Sequence, residues 1–421
     1  MTPSVTSAAE TSCDATPLVV RTVEVTDPGP LLELLPHEDA LAWVRRGEGL
    51  VGWGVAAVIR TKGATRFADA RSWWQTLTRD AVVRDEVKQP GTGLVSFGSF
   101  AFADEPGESV LVVPEVLVGR RGRTTWVTTV SVAAITSSPE LSPTDPPEAP
   151  IGVAFVDGAL NGAEWEAVVA EAVSRINDGA LEKVVLARDL VASADQDIDV
   201  RWPLQRLAES YQMCWTFHVD GLFGATPEML VRRERGLVTS RVLAGTIRRT
   251  GDDGRDLALA ATLARSSKDL EEHEYAVRSV AEALAPHCTS MNVPESPFVL
   301  HLPNVMHLAT DVVGVIDDEN TCLELAEALH PSAAVGGTPT ERALTLITEI
   351  EGMDRGRYAG PVGWMDASGD GEWGIALRSA EVEGRTVRLF AGCGIVASSD
   401  PESELAEAQA KFIPVRDAVS S

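Results

Sequence analysis

The stretch 372–411, EWGIALRSAEVEGRTVRLFAGCGIVASSDPESELAEAQAK, constrains the fold of this chain most. Two alternating apolar runs, 373–382 and 385–390, flank a Glu383-Gly384 turn, the pattern of a β-hairpin. A glycine-rich turn at 391–394 follows, and Asp400-Pro401 supplies the cap and first residue of a closing helix. On that helix Glu404, Glu407 and Lys411 stand at i, i+3 and i+7 and share one face. Leu405, Ala408 and Phe412 form the neighbouring apolar stripe, so the acid row borders the buried side. One hairpin thus offers a strand arginine (Arg378), glycine amides open to a ligand, and a helix with two carboxylates and an ammonium. That set suits a metal-bridged, carboxylate-bearing small molecule. A solvated helix with a Glu407–Lys411 ion pair fits the same residues.

With 421 residues, 44% hydrophobic and ten Trp, the chain has material for two average domains or one large α/β unit. A formal charge of −26 repels nucleic acid and anionic membrane, so neither is expected as a partner. An anionic substrate would need arginines or a metal to reverse the field locally. Cys13, Cys214, Cys288, Cys322 and Cys393 are scattered and never form CxxC, which points to a reducing compartment without disulfides or structural zinc. Residues 1–16 are small and polar, lack the features of a signal peptide, and are expected to be disordered. No run is long enough to span a bilayer. A soluble cytoplasmic protein is the expectation.

Strand-like runs fall at 18–25, 50–60, 94–102, 110–118 and 124–135, with an amphipathic helix expected over 65–85. The segment 137–150, SSPELSPTDPPEAP, reads as a linker between an N-terminal portion, 17–136, and a C-terminal portion, 151–421. A helix capped by Asn161 and ended by Asp178-Gly179 comes next, then strands to Gly245, then a helix over 267–285. The order is mixed and no internal repeat is visible. This predicts an α+β fold with mostly antiparallel sheets.

Three further sites could carry chemistry. Lys183 opens the apolar run 184–187 and shares a strand face with Val185 and Ala187, which would desolvate its amine. A strand-end lysine with its head in water is the plainer reading of the same run. Glu228, behind Pro227, could deliver a proton to a leaving hydroxyl if burial raises its pKa, or be an exposed turn residue. Asp269 and Glu272 stand at i, i+3 beside the apolar side of their helix. Two helices each presenting an acid pair can hold one octahedral Mg²⁺, and with no interleaved His, zinc is disfavoured.

The words LEKVVLAR (181–188), FGATPEMLVRR (223–233), LAGTIRR (243–249), SSKDLEEHEYAV (266–277), MHLAT (306–310), LHPSAAVGGTP (329–339), YAGPVGW (358–364), ALRSAEV (376–382), RLFAGCGIV (388–396) and ESELAEAQAK (402–411) resemble, in order, those of the chorismate-utilising enzymes. The resemblance implies a single large fold of two mostly antiparallel sheets packed together with helices outside. It would make 17–136 the family's variable N-terminal portion, 137–150 a surface excursion and 151–421 the catalytic portion.

By the same resemblance Lys183 is a general base and Glu228 a general acid. Glu272 and Glu407 ligate Mg²⁺, with Asp269 and Glu404 in support. Arg378 and Tyr358 hold the enolpyruvyl carboxylate of chorismate. Gly394, Lys411, Gly245 and Thr246 line the ring and its carboxylate, and His307 lies beside the ring. Ala244 stands where aminodeoxychorismate synthases carry a lysine, Lys183 resembles the water-adding members, and Ala334 stands where salicylate and anthranilate synthases typically show threonine. These departures favour isochorismate synthase activity in a monomer without an amidotransferase. Salicylate synthase, anthranilate synthase component I and a non-catalytic chorismate-binding module are the alternatives.

Overall fold

The computed structural model describes residues 17–132, 137–316 and 320–420, so the disorder expected of 1–16 lies outside the described residues. Two sheets of 13 and 10 strands form the described part of the molecule. Their pairings are antiparallel, save that of Leu18–Glu24 with Val82–Asp85. The described helices are α1 (Arg66–Asp80), α2 (Gly162–Asn177), α3 (Arg201–Ser210), α4 (Asp253–Leu263), α5 (Ser267–Leu284), α6 (Cys322–Leu329), α7 (Thr340–Ile350) and α8 (Pro401–Val419). The predicted α+β class with two mostly antiparallel sheets is the observed one.

Caps explain several helix ends. Asn161 and Glu164 form a capping box on α2, Ser266 accepts from the Asp269 amide on α5, and Asp400 accepts from the Ser403 amide on α8.

The chain passes repeatedly from one sheet to the other through corners of two or three residues. Glu48–Trp53 belongs to the larger sheet and Ala57–Lys62 to the smaller; Glu108–Val113 and Val116–Arg121 cross back at Pro114-Glu115. The C-terminal half repeats the manoeuvre. Leu222–Thr226 leads through Pro227-Glu228 into Met229–Glu234, and Gly371–Ile375 leads through Ala376-Leu377-Arg378 into Ser379–Glu383. Strand order is mirrored about the junctions that pair Phe217 with Trp43 and Gly363 with Gly98, except that the C-terminal side of the smaller sheet adds Leu237–Arg248, Cys288–Asn292, Phe298–His301 and Val305–Ile316 without N-terminal counterparts. The strands that turn the corners are therefore topological counterparts in the two halves, which share no visible sequence repeat.

These corners correct the sequence reading. The runs 50–60, 110–118 and 373–382 each read as one strand, yet each is two strands in different sheets. Gly54 (φ +70°), Pro114 and Arg378 (φ +49°) mark the breaks. Arg378 holds a left-handed backbone that a residue with a Cβ adopts only at a cost. The helix expected over 65–85 ends at Asp80, because the β-branched Val82-Val83 pair goes on to form the parallel edge strand. The turn expected at 391–394 is strand throughout: Thr386–Ile395 is continuous, with Gly392 opposite Ala187 and Gly394 opposite Val185.

Segment 137–150 is irregular but tied down. Thr144 Oγ1 donates to Leu35 O at 2.8 Å, and Arg201 Nη1 donates to Thr144 Oγ1 at 3.0 Å. Strands from both sides of it share the two sheets. Trp43, Phe97, Trp126, Phe217 and Trp364 pack across the junction of the halves, each fully buried ring contributing roughly 1.5–3 kcal/mol. That apolar seam, not a flexible hinge, joins them.

Candidate active site

The two C-terminal corners lie side by side. Thr226 Oγ1 donates to Ile375 O at 2.6 Å, the Ile375 amide donates to Glu228 O at 3.2 Å, and the Ala225 amide to Arg378 O at 3.2 Å. Each corner delivers one polar side chain, Glu228 or Arg378, into a shared cavity. Glu228 is 3% exposed, and burial pushes its carboxyl up to about 8 against the opposing pull of the Leu243 amide 3.3 Å from Oε1. It is not an exposed turn residue.

Arg378 Nη2 can only donate, so His307 Nε2 accepts from it at 3.1 Å. The His307 proton then sits on Nδ1, 3.1 Å from Thr246 Oγ1. Burial, reinforced by Arg378 and Lys411, holds this imidazole well below its ordinary pKa and therefore neutral. Gly245 is the bulged residue between Ala244 and Thr246; its φ of +78° and the Asp269 Cβ, 3.0 Å from where a side chain would begin, require glycine. Tyr358 stacks on Phe390 with centroids 5.0 Å apart.

Opposite these strands, α5 and α8 supply the acids. Glu272 Oε1 lies 3.3 Å from Lys183 Nζ, Glu404 Oε1 2.7 Å from Lys268 Nζ, and Glu407 Oε1 2.6 Å from Lys411 Nζ. Lys183 is fully buried, and beyond that ion contact its amine makes no hydrogen bond among the described residues. Burial raises the Asp269 carboxyl, and the charges of Glu272 and Glu407 raise it further. Burial also pushes Glu407 up, but the Lys411 ammonium outweighs it and holds the group below the ordinary range. Gly394 is there for room: a Cβ would fall 2.2 Å from Glu272 Oε1 and 3.0 Å from Lys183 Cε.

Of the sequence-predicted residues, Glu228, Gly245, Thr246, Glu272, His307, Ala334, Tyr358, Arg378, Gly394 and Lys411 line the cavity. Lys183 stands behind Glu272, while Asp269, Glu404 and Glu407 lie on the helices beyond the lining. Cys393 Sγ shares a cluster with the Glu404 and Glu407 carboxylates, all within 4.8 Å of one another. Burial pushes its thiol well up from the ordinary range, and Sγ donates to Glu404 O at 3.4 Å.

The family described as "Chorismate binding enzyme" matches residues 5–420. The chain belongs to the chorismate-binding enzymes. It is 32% identical over 405 residues to the isochorismate synthase MenF of Bacillus subtilis, covering 88% of this chain and 85% of that protein. It is 33% identical over 431 residues to the salicylate biosynthesis isochorismate synthase of Pseudomonas aeruginosa, covering 96% and 90%. The crystal structure of DhbC from Bacillus anthracis superposes with a TM-score of 0.77 at 33% identity, over 92% of this chain and 98% of that one.

Sequence reasoning missed four residues that line or support this cavity. His273 donates from Nδ1 to Ala244 O (3.2 Å) and accepts at Nε2 from Thr310 Oγ1 (2.8 Å), pinning α5 to the Gly245 bulge. Its place in the buried stripe with Ala276, Val280 and Leu284 was the available signal. The Glu351–Arg355 pair is buried in contact with the Lys183 strand: Arg355 Nη2 donates to Val185 O at 2.7 Å, and Glu351 Oε2 accepts from the Ala187 amide at 2.8 Å. Lys268, read only as part of a motif, bridges the two acid helices.

Proposed function

We propose that this chain catalyses the reversible, Mg²⁺-dependent isomerisation of chorismate to isochorismate. Relatives that span nearly its whole length carry that activity in their names, and the cavity has the parts for it. The observation that carries the reading is Glu228: a carboxyl with a pKa of about 8 inside the cavity is protonated at neutral pH and ready to act as an acid.

In the forward direction Lys183, released from Glu272 and acting as the neutral amine, takes a proton from water as the water oxygen bonds to C2. The ring double bonds shift, the C4–O bond breaks, and Glu228 gives its proton so that the hydroxyl leaves as water. One water enters and one leaves, which makes the net change an isomerisation. Proton exchange with solvent then resets Lys183 and Glu228. Each of the two transfers is worth about 10²–10⁴-fold.

Arg378 and Tyr358 would hold the enolpyruvyl carboxylate. The Gly394 amide, Lys411 and the Gly245-Thr246 backbone would face the ring and its carboxylate, with neutral His307 beside the ring and small Ala334 leaving space. The acids of α5 and α8 suit a hard divalent cation: they are oxygen donors only, and burial together with the charges of Glu272 and Glu407 raises Asp269, a cost a cation would relieve. Glu272 and Glu407 would hold it, with Asp269 and Glu404 in support. Mg²⁺ there would supply positive charge to the ring carboxylate.

The enzyme would work as a cytoplasmic monomer, with no amidotransferase, nucleic acid or membrane partner. Incubation with chorismate and Mg²⁺, with and without ammonium, tests the activity by chromatography of the products. Isochorismate alone is expected. Salicylate with pyruvate, anthranilate formed with ammonium, or no turnover would overturn the assignment.

A further inference from the structure

Each of the three lysines at the acid wall occupies one carboxylate. Lys183 and Lys411 also have parts in the proposed chemistry. Lys268 has none. It sits in the first turn of α5 with its side chain about one-third exposed (34%), at the outer edge of the acids and outside the cavity lining. Its ammonium reaches across to Glu404 of α8, a carboxylate only 2% exposed.

The reason for a cation at that point is electrostatic. Asp269, Glu272, Glu404 and Glu407 are crowded between two helices, and like charges at such range repel. Burial and the neighbouring Glu407 push the Glu404 carboxyl up, while Lys268 opposes that rise. An ammonium on Glu404 relieves the repulsion and ties α5 to α8. A divalent cation placed among the same acids would relieve it from inside, and would repel the ammonium.

We propose that Lys268 is a stand-in counter-ion, holding Glu404 and so keeping α5 against α8 until a divalent cation binds, whereupon the Lys268–Glu404 pair is given up. Lys268 is thus a positioning residue that competes with the metal. The proposal rests on the reading of these acids as the Mg²⁺ site.

The test uses the full chain as wild type, Lys268→Met and Lys268→Arg. Divalent-cation affinity is measured by Mn²⁺ electron paramagnetic resonance and by Mg²⁺ titration calorimetry. Thermal unfolding is followed with and without saturating Mg²⁺. Lys268→Met is expected to bind the cation about tenfold more tightly, since one repelling charge is gone. Its Tm should fall by roughly 1–2 °C without cation and match wild type at saturation. Lys268→Arg should behave as wild type. Unchanged or weaker cation binding by Lys268→Met, or a Tm deficit that persists in saturating Mg²⁺, would overturn the proposal and make Lys268 a static tether. A wild-type protein that binds no divalent cation would overturn both the proposal and the metal reading beneath it.

Discussion

The N-terminal and C-terminal halves of the two sheets turn the same corners with opposite results. In the N-terminal half, Gly54-Val55-Ala56 and Pro114-Glu115 lie against each other, with Glu115 and Val55 exposed to solvent. The C-terminal corners hold Glu228 at 3% and Arg378 at 7% exposure. What differs is the cover. In the C-terminal half α5 packs on the Leu237–Arg248 and Val305–Ile316 strands, and α8 packs on Thr386–Ile395. A strand corner by itself is a surface feature. Two acid-bearing helices laid over it make the dielectric low enough to keep a carboxyl protonated and to make an amine and several carboxylates interact strongly.

That contrast can be broken by substitution. Lys183→Ala should have the largest effect, lowering kcat by about 10⁴-fold while leaving chorismate binding, followed by tryptophan fluorescence, nearly unchanged. Glu228→Gln should lower kcat by about 10²–10⁴-fold. In wild type, the forward rate should fall as the pH rises through about 8, where Glu228 loses its proton, and the Gln variant should lack that alkaline limb. The same group binds a proton in the folded state that it releases on unfolding. Its contribution to stability is therefore fully present below the ordinary value of 4.5 and lost as the pH rises through about 8. Gly394→Ala should cost about 10–100-fold in kcat/KM, because Glu272 and Lys183 must move from the added methyl. Glu115→Gln, at the exposed corner of the N-terminal half, should leave kcat within about twofold and stability within about 0.5 kcal/mol.

Much of the scaffold was legible because its signals are local. The Asn161 cap, the Asp400-Pro401 helix start and the i, i+3 acid spacing on α5 and α8 are each written within a few residues. The corners were not legible, since apolar alternation runs through 373–382 without pause while the chain changes sheet at Ala376–Arg378. Glycines also misled: Gly392 and Gly394 suggest a turn, yet they sit in a strand and make room for the Tyr358 hydroxyl and the Glu272 carboxylate. The candidate residues could be named from their motifs. Their pairings, Lys183 on Glu272 and Lys268 on Glu404, join positions 89 and 136 residues apart and follow only from how α5 and α8 are laid over the strands.

Crystals soaked with Mn²⁺ and chorismate, with anomalous diffraction recorded, bear most directly on the division of labour between strands and helices. One anomalous peak against Glu272 and Glu407 is predicted, with Glu272 drawn away from Lys183 and the freed amine facing the ring. A peak elsewhere, or a Glu272 carboxylate still seated on Lys183 with both ligands bound, would contradict the account.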